Sequence, residues 1–259
     1  MGHKVHPKIY RTQVIYTWDS KWFSKDHYQE YLEQDIRIRE YLKKKFRDAH
    51  IDSVNIERGA KQMIVTIFAA KPGVIIGRGG QGMTVVRQHL ERKILKLQMK
   101  VKVNVQEVRS GSLSATIVAE TLAMEIERRL PFRRVMKQGI ERVRKAGAQG
   151  VKIRMSGRLN GVEIARTETL ASGKVPLITL RSDVDYALTE AQTIYGKIGI
   201  KVWIYQGEIF GRKEKQIAPS SDGKREERRP SSGRRGRATK SDSDVIMEGV
   251  QSEGSKVKS

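Results

Sequence analysis

The chain has 259 residues with 51 Lys or Arg against 29 Asp or Glu, a formal charge of +22 and no cysteine. Such a charge repels itself in a compact fold and implies a polyanionic partner. The missing thiols exclude disulfides, thiolate zinc sites and a Cys nucleophile, and suit a reducing compartment. From Gly211 onward 13 Lys or Arg face 8 Asp or Glu, a net of +5, which leaves +17 for residues 1–210. The basicity therefore belongs to the folding part of the chain and not to a tail. No apolar run approaches the ~18 residues of a membrane span. The start, MGHKVHPKIYRTQ, has no apolar signal core, so no membrane partner is expected.

Residues 1–26 form a basic, aromatic arm containing Trp18 and Trp22. Residues 27–48 space Tyr31, Ile36, Ile38, Leu42 and Phe46 as an amphipathic helix. The alternating runs 51–57 and 63–69, joined through Arg58-Gly59-Ala60-Lys61, predict a hairpin. After Pro72-Gly73 come a short helical or extended piece, a glycine cluster, a helix over 82–97 and a strand over 100–108.

A second unit follows Arg109-Ser110-Gly111-Ser112, where a serine can cap the next helix, over 113–130. Pro131 then opens another helix. Strands are expected at 151–157, 162–170 and 175–181, a helix at 184–195 and a strand at 198–209. Beyond Gly211 low apolar content predicts disorder. The domain limits read as 1–26, 27–108, 109–210 and 211–259, in an α/β (α+β) chain.

The stretch GVIIGRGGQG at 73–82 fits two chemistries. Gly77, Gly79 and Gly82 match G-x-G-x-x-G, the dinucleotide fingerprint, which would make an oxidoreductase. That site needs the glycines directly after a buried strand and an acidic residue about 20 positions on, whereas Lys71 to Ile76 intervene and Glu107 stands 25 past Gly82. Gly77-Arg78-Gly79-Gly80 also matches G-x-x-G, the nucleic-acid clamp of KH domains. Embedded in helix-strand-strand-helix-loop-helix-strand order, it fits a type II KH domain. Arg78 faces phosphates, with Lys71 and Arg87 close in sequence.

The helix after Pro131 is the second candidate. At about 100° per residue, Arg133, Arg134, Lys137, Arg144 and Lys145 share a sector of roughly 120° with one carboxylate, Glu141. Val135, Met136, Ile140, Val143 and Ala146 fill the opposite face. A solubilising face mixes both signs, so a phosphate track fits better. Arg154, Arg158 and Arg166 are expected to project from one hairpin region. Trp18, Trp22 and Trp203 read as packing residues. His27, His50 and His89 lack metal spacing, and no catalytic constellation, cofactor site or small-molecule substrate site is present in the pattern.

These blocks together resemble the bacterial-type family of small-subunit ribosomal protein three. The resemblance runs through GHKVHP (2–7), WDSKWF (18–23), PGVIIGRGG (72–80), EVR (107–109) and ERRLPFRRVMK (127–137). It continues through SGRLNGVEIARTE (156–168), VPLITLRSDVDY (175–186) and YGKIGIKVWIYQGEI (195–209). It implies an N-terminal type II KH domain, a C-terminal α/β domain and a place on the head of the small subunit, in the cytoplasm or an organelle. The implied partners are small-subunit rRNA, mRNA and small-subunit ribosomal proteins ten and fourteen. It also implies that Arg133, Arg134 and Lys137 line the mRNA entry channel and help unwind mRNA, a mechanical and not an enzymatic role. The family's loop often carries two lysines where this chain has Arg78-Gly79, which weakens the phosphate contact expected there. The runner-up reading is a nicotinamide-dependent oxidoreductase using Gly77, Gly79 and Gly82, and a third is a KH regulator acting on mRNA away from ribosomes.

Overall fold

In a computed structural model the described residues are 4–59, 61–95 and 99–210. The expected disorder beyond Gly211, and Ala60 and Leu97, lie outside them. The arm holds a helical turn, α1 (Pro7–Tyr10), and a two-residue strand, β1 (Ser20–Lys21). Then come α2 (Tyr28–Lys45), β2 (Ile51–Arg58), β3 (Gln62–Ala69), α3 (Pro72–Ile76), α4 (Gln81–His89) and β4 (Lys100–Glu107). The element order is the one expected for a type II KH fold. The sheet runs β1-β2-β3-β4, with β2 and β3 antiparallel as a hairpin allows. Strand β4 is parallel to β3, as a crossover through α3 and α4 requires. Ile38, Leu42, Ile56, Val65, Ile67, Val86 and Leu90 pack into one core over this sheet.

The amphipathic stripe of α2 differs from the expected one. Its inward line is Asp35, Ile38, Leu42 and Phe46, while Ile36 is exposed. Asp35 is tolerated inside because its carboxylate accepts from Ser20 Oγ at 2.9 Å, Trp22 Nε1 at 2.8 Å and Arg58 Nε at 3.1 Å. Buried charge is stable only when paired and hydrogen-bonded in this way. The helix expected over 82–97 is α-helical to His89 and then widens into a π-helical turn, Leu90–Ile94.

The second half comprises α5 (Ala115–Glu127), α6 (Phe132–Lys145), β5 (Gly150–Gly157), β6 (Arg166–Gly173), β7 (Ser182–Thr193) and β8 (Gly196–Glu208). The sheet order is β6-β5-β8-β7, antiparallel throughout. Helices α5 and α6 cover one face, and Leu122, Val135, Met136, Val151, Ile153, Ile200 and Val202 form a second core. Ser114 caps α5, accepting from Ile117 N at 3.4 Å, so neither Ser110 nor Ser112 is the cap.

Three expected elements are corrected. Residues 184–195 are not a helix: β7 occupies 182–193. Ala187, Leu188, Glu190 and Ala191 favour a helix locally, but register with the 13-residue β8 buries Ala187 and Ala191 against the helices. Tertiary pairing overrides propensity. The strand expected at 162–170 begins only at Arg166. Residues 175–181 form no strand, because Arg11 organises them instead. Buried Arg11 donates Nη2 to the carbonyls of Pro176 (3.1 Å), Leu177 (2.9 Å) and Thr179 (2.9 Å), and Nη1 to Pro7 (3.0 Å).

Candidate nucleic-acid interface

Lys71 precedes α3, and Pro72 takes a first-turn position where no amide is needed. The helix stops at Gly77, whose φ of 69° and ψ of −178° are accessible essentially only to glycine. Gly79 (φ 59°) and Gly80 (φ 76°) are both left-handed and lead into α4. Gly82 serves another purpose. A Cβ there would lie 2.4 Å from the carbonyl oxygen of Ile75 and 2.8 Å from that of Ile76. The three glycines of the dinucleotide fingerprint thus turn the chain and let α4 back onto α3. They follow a helix, not a strand, and form no pyrophosphate cradle of the βαβ kind.

Arg78 is exposed at the tip of this loop. Arg87, one of the expected cations, lines an open cleft of about 570 Å³ between α4 and the edge strand β4. Met83, Val101 and Val103 give the cleft an apolar floor, and Lys61, Lys100 and Lys102 join Arg87 as cations, with no carboxylate among the lining residues. An apolar floor with a cationic rim suits bases and phosphates of a single strand. The sequence does not mark these lysines: Lys100 and Lys102 stand in KVKV, which looks like any half-exposed strand, and Lys61 ends a turn. Lys71 belongs elsewhere: its amide donates to Ala49 O at 3.2 Å, and its charge helps depress the pKa of His50, after burial.

Helix α6 divides as its periodicity requires. Phe132, Val135, Met136, Gly139 and Val143 are buried, while Arg133, Arg134, Lys137, Arg144 and Lys145 are exposed. Lys145 meets Glu141 at 3.6 Å, and Arg133 reaches Glu168 only at 4.0 Å. Among the described residues Arg134, Lys137 and Arg144 have no carboxylate partner. Uncompensated cations on one helix face raise the local positive potential.

The hairpin arginines do not act together. Arg166 joins α6: its guanidinium lies 5.6 Å from the Phe132 ring centre, Arg133 lies 5.8 Å from the same ring, and Arg166 Nε is 3.7 Å from Glu168. Arg158 is tied locally, donating Nε to Val162 O at 3.0 Å and lying 5.3 Å over Tyr195. Arg154 is exposed on the other face of the sheet, since Ile153 and Met155 point to the helices. Of the tryptophans, Trp22 packs as expected, Trp18 is 63% exposed and Trp203 is half-buried on the face that bears Arg154. Among the described residues no group of His, Asp or Glu is placed to hold a metal, and no helix is long and apolar enough to cross a membrane.

Comparison with known proteins agrees with both halves. Residues 37–113 match the KH domain family, and residues 122–204 match the family described as Ribosomal protein S3, C-terminal domain. Small ribosomal subunit protein uS3 of Carboxydothermus hydrogenoformans is 47% identical over 224 residues, covering 86% of this chain and 100% of its own length. The protein of the same name from Chromobacterium violaceum is 49% identical over 210 residues, covering 81% of this chain and 89% of its own. That from Listeria monocytogenes is 46% identical over 217 residues, 84% of this chain and 98% of its own. With a glycine clamp, a cationic cleft and an unneutralised helix face already in place, the relatives settle the family: the chain belongs to that of small ribosomal subunit protein uS3.

Proposed function

We propose that this chain is a structural, non-catalytic component of the small ribosomal subunit that holds rRNA and guides mRNA. Its relatives carry the name of a small-subunit protein, and a KH domain is an RNA-binding module. The observation that carries the mRNA role is the α6 face, where Arg134, Lys137 and Arg144 stand exposed without carboxylate partners beside Arg133. Cations fixed on a rigid helix attract a passing phosphate chain without reading its sequence. Held at a channel mouth, they favour separated strands over a duplex too wide to enter. We further propose contacts with small-subunit ribosomal proteins ten and fourteen, a cytoplasmic setting, and folding as a KH domain (27–108) joined to a C-terminal domain (109–210).

The test is a ribosome carrying Arg133→Ala, Arg134→Ala and Lys137→Ala. Subunits should assemble with normal sedimentation, while translation slows through messages with stable hairpins and not through unstructured ones. Equal speed on both messages refutes the entry-channel role. The KH cleft supports a second reading, a regulator binding single-stranded mRNA off the ribosome. Sucrose-gradient sedimentation separates the two: co-migration with small subunits supports the ribosomal role, and free protein bound to mRNA supports the regulator.

A further inference from the structure

The face of the second sheet turned away from α5 and α6 carries the short α1 at its β7 edge, and its side chains line up in rows. Cross-strand register places Ala171, Lys152, Trp203 and Tyr186 side by side, and Thr169, Arg154, Lys201 and Leu188 in the next row. Neighbours in such rows are close enough to act together. The Lys152 ammonium lies 5.5 Å from the Trp203 ring centre, and the Tyr186 ring packs against Trp203 at 5.3 Å. His6 of the arm packs edge-on against Tyr186, with ring centres 4.7 Å apart.

Charge decides the occupant. Lys152, Arg154 and Lys201 have no carboxylate partner among the described residues. The acid on this face, Glu190, is neutralised by Lys197 at 2.8 Å. Half-buried Trp203 keeps part of its ring open beside three free cations, and Leu188 is 56% exposed. A rigid aromatic pair bordered by cations is the arrangement that stacks bases and holds phosphates.

We propose that this sheet face is a second RNA-binding platform, taking a single-stranded RNA segment with a base on Trp203 and Tyr186 and its phosphates on Lys152, Arg154 and Lys201. It rests on the RNA-binding reading above but uses none of the α6 cations.

The test uses the full chain with Trp18→Phe and Trp22→Phe, which leaves Trp203 as the sole fluorophore of the three tryptophans. Oligouridylate of about twelve nucleotides, within the ~4–16 nucleotides such surfaces occupy, is the probe. Trp203 fluorescence should be quenched on binding. Adding Lys152→Gln, Arg154→Gln and Lys201→Gln should weaken binding by about tenfold. It should also lower the slope of log affinity against log salt by about 2, three phosphates at ~0.7 each. The α6 triple variant should lose affinity yet keep the quench. No quench, with an unchanged slope in the sheet variant, overturns the platform. If the α6 variant then still loses affinity, the α6 reading survives alone; if neither variant matters, the RNA reading itself fails. A sheet variant that binds oligouridylate normally but drops out of reconstituted subunits assigns the face to a protein partner and also overturns the proposal.

Discussion

The Ser114 hydroxyl donates to the Asp52 carboxylate at 2.6 Å, joining the cap of α5 to strand β2 of the other core. The same oxygen accepts from the Ile117 amide, so one side chain both starts a helix and ties the two halves together. Ser114→Ala removes both bonds. It should lower stability by about 1–3 kcal/mol, the sum of a lost cap and a partly buried hydrogen bond. Ser114→Thr should recover most of that. Urea unfolding midpoints of the three proteins provide the check.

His50 and Glu120 face each other near this junction, with Nδ1 and Oε2 3.5 Å apart. Burial is the main cause at both: it pushes the Glu120 pKa up to about 7 and pulls that of His50 below its usual value. For Glu120 the native state holds a proton that the unfolded chain releases above about 4.5, so its contribution to stability is present at low pH and lost as pH rises toward 7. His50 has the opposite sign, since the unfolded chain takes up a proton near 6.5 that the folded one resists. Glu120→Gln removes only the first effect. Relative to the parent, its stability should climb between about pH 5 and 7 and then level, in denaturant titrations across that range.

Two glycine substitutions three residues apart in the same segment should differ sharply. Gly82→Ala drives a Cβ onto the backbone carbonyls of Ile75 and Ile76, atoms that cannot swing aside. It should cost about 2–4 kcal/mol, by forcing α3 and α4 apart, and weaken RNA binding with it. Gly79→Ala meets nothing within 4 Å and pays only for its left-handed φ of 59°, about 1 kcal/mol. Thermal midpoints and RNA affinity of the pair distinguish a packing glycine from a turning one.

The buried Arg58–Asp35 pair should be asymmetric to mutation. Arg58→Met leaves the Asp35 charge inside with only Ser20 and Trp22, and should cost about 3–5 kcal/mol. Adding Asp35→Asn should restore a large part of that loss. A double-mutant cycle in chemical unfolding measures the coupling.

How much of this was legible in the sequence varied with the kind of signal. The KH order was readable because its strands alternate cleanly and its glycines punctuate. The division of α6 was readable because Arg133 to Lys145 separate cleanly at helical period. Strand β7 was not, since Ala187, Leu188, Glu190 and Ala191 are good helix formers and only the pairing partner, some ten residues on, reverses them. Asp35 was hidden because its three partners come from positions 20, 22 and 58, which no local pattern connects. The cleft lysines Lys61, Lys100 and Lys102 were hidden for the same reason, being brought together by the parallel register of β3 and β4.

Arg11 has a consequence in time. The carbonyls that enclose it belong to residues 165 to 168 positions further along the chain. At roughly 5–20 residues per second of synthesis, they emerge some ten to thirty seconds after it does. The KH strands and helices can pair meanwhile, with β1 joining β2, but α1 and Arg11 at the start of the arm have nowhere to dock. The segment made first is the segment seated last, and its closure marks completion of the C-terminal half.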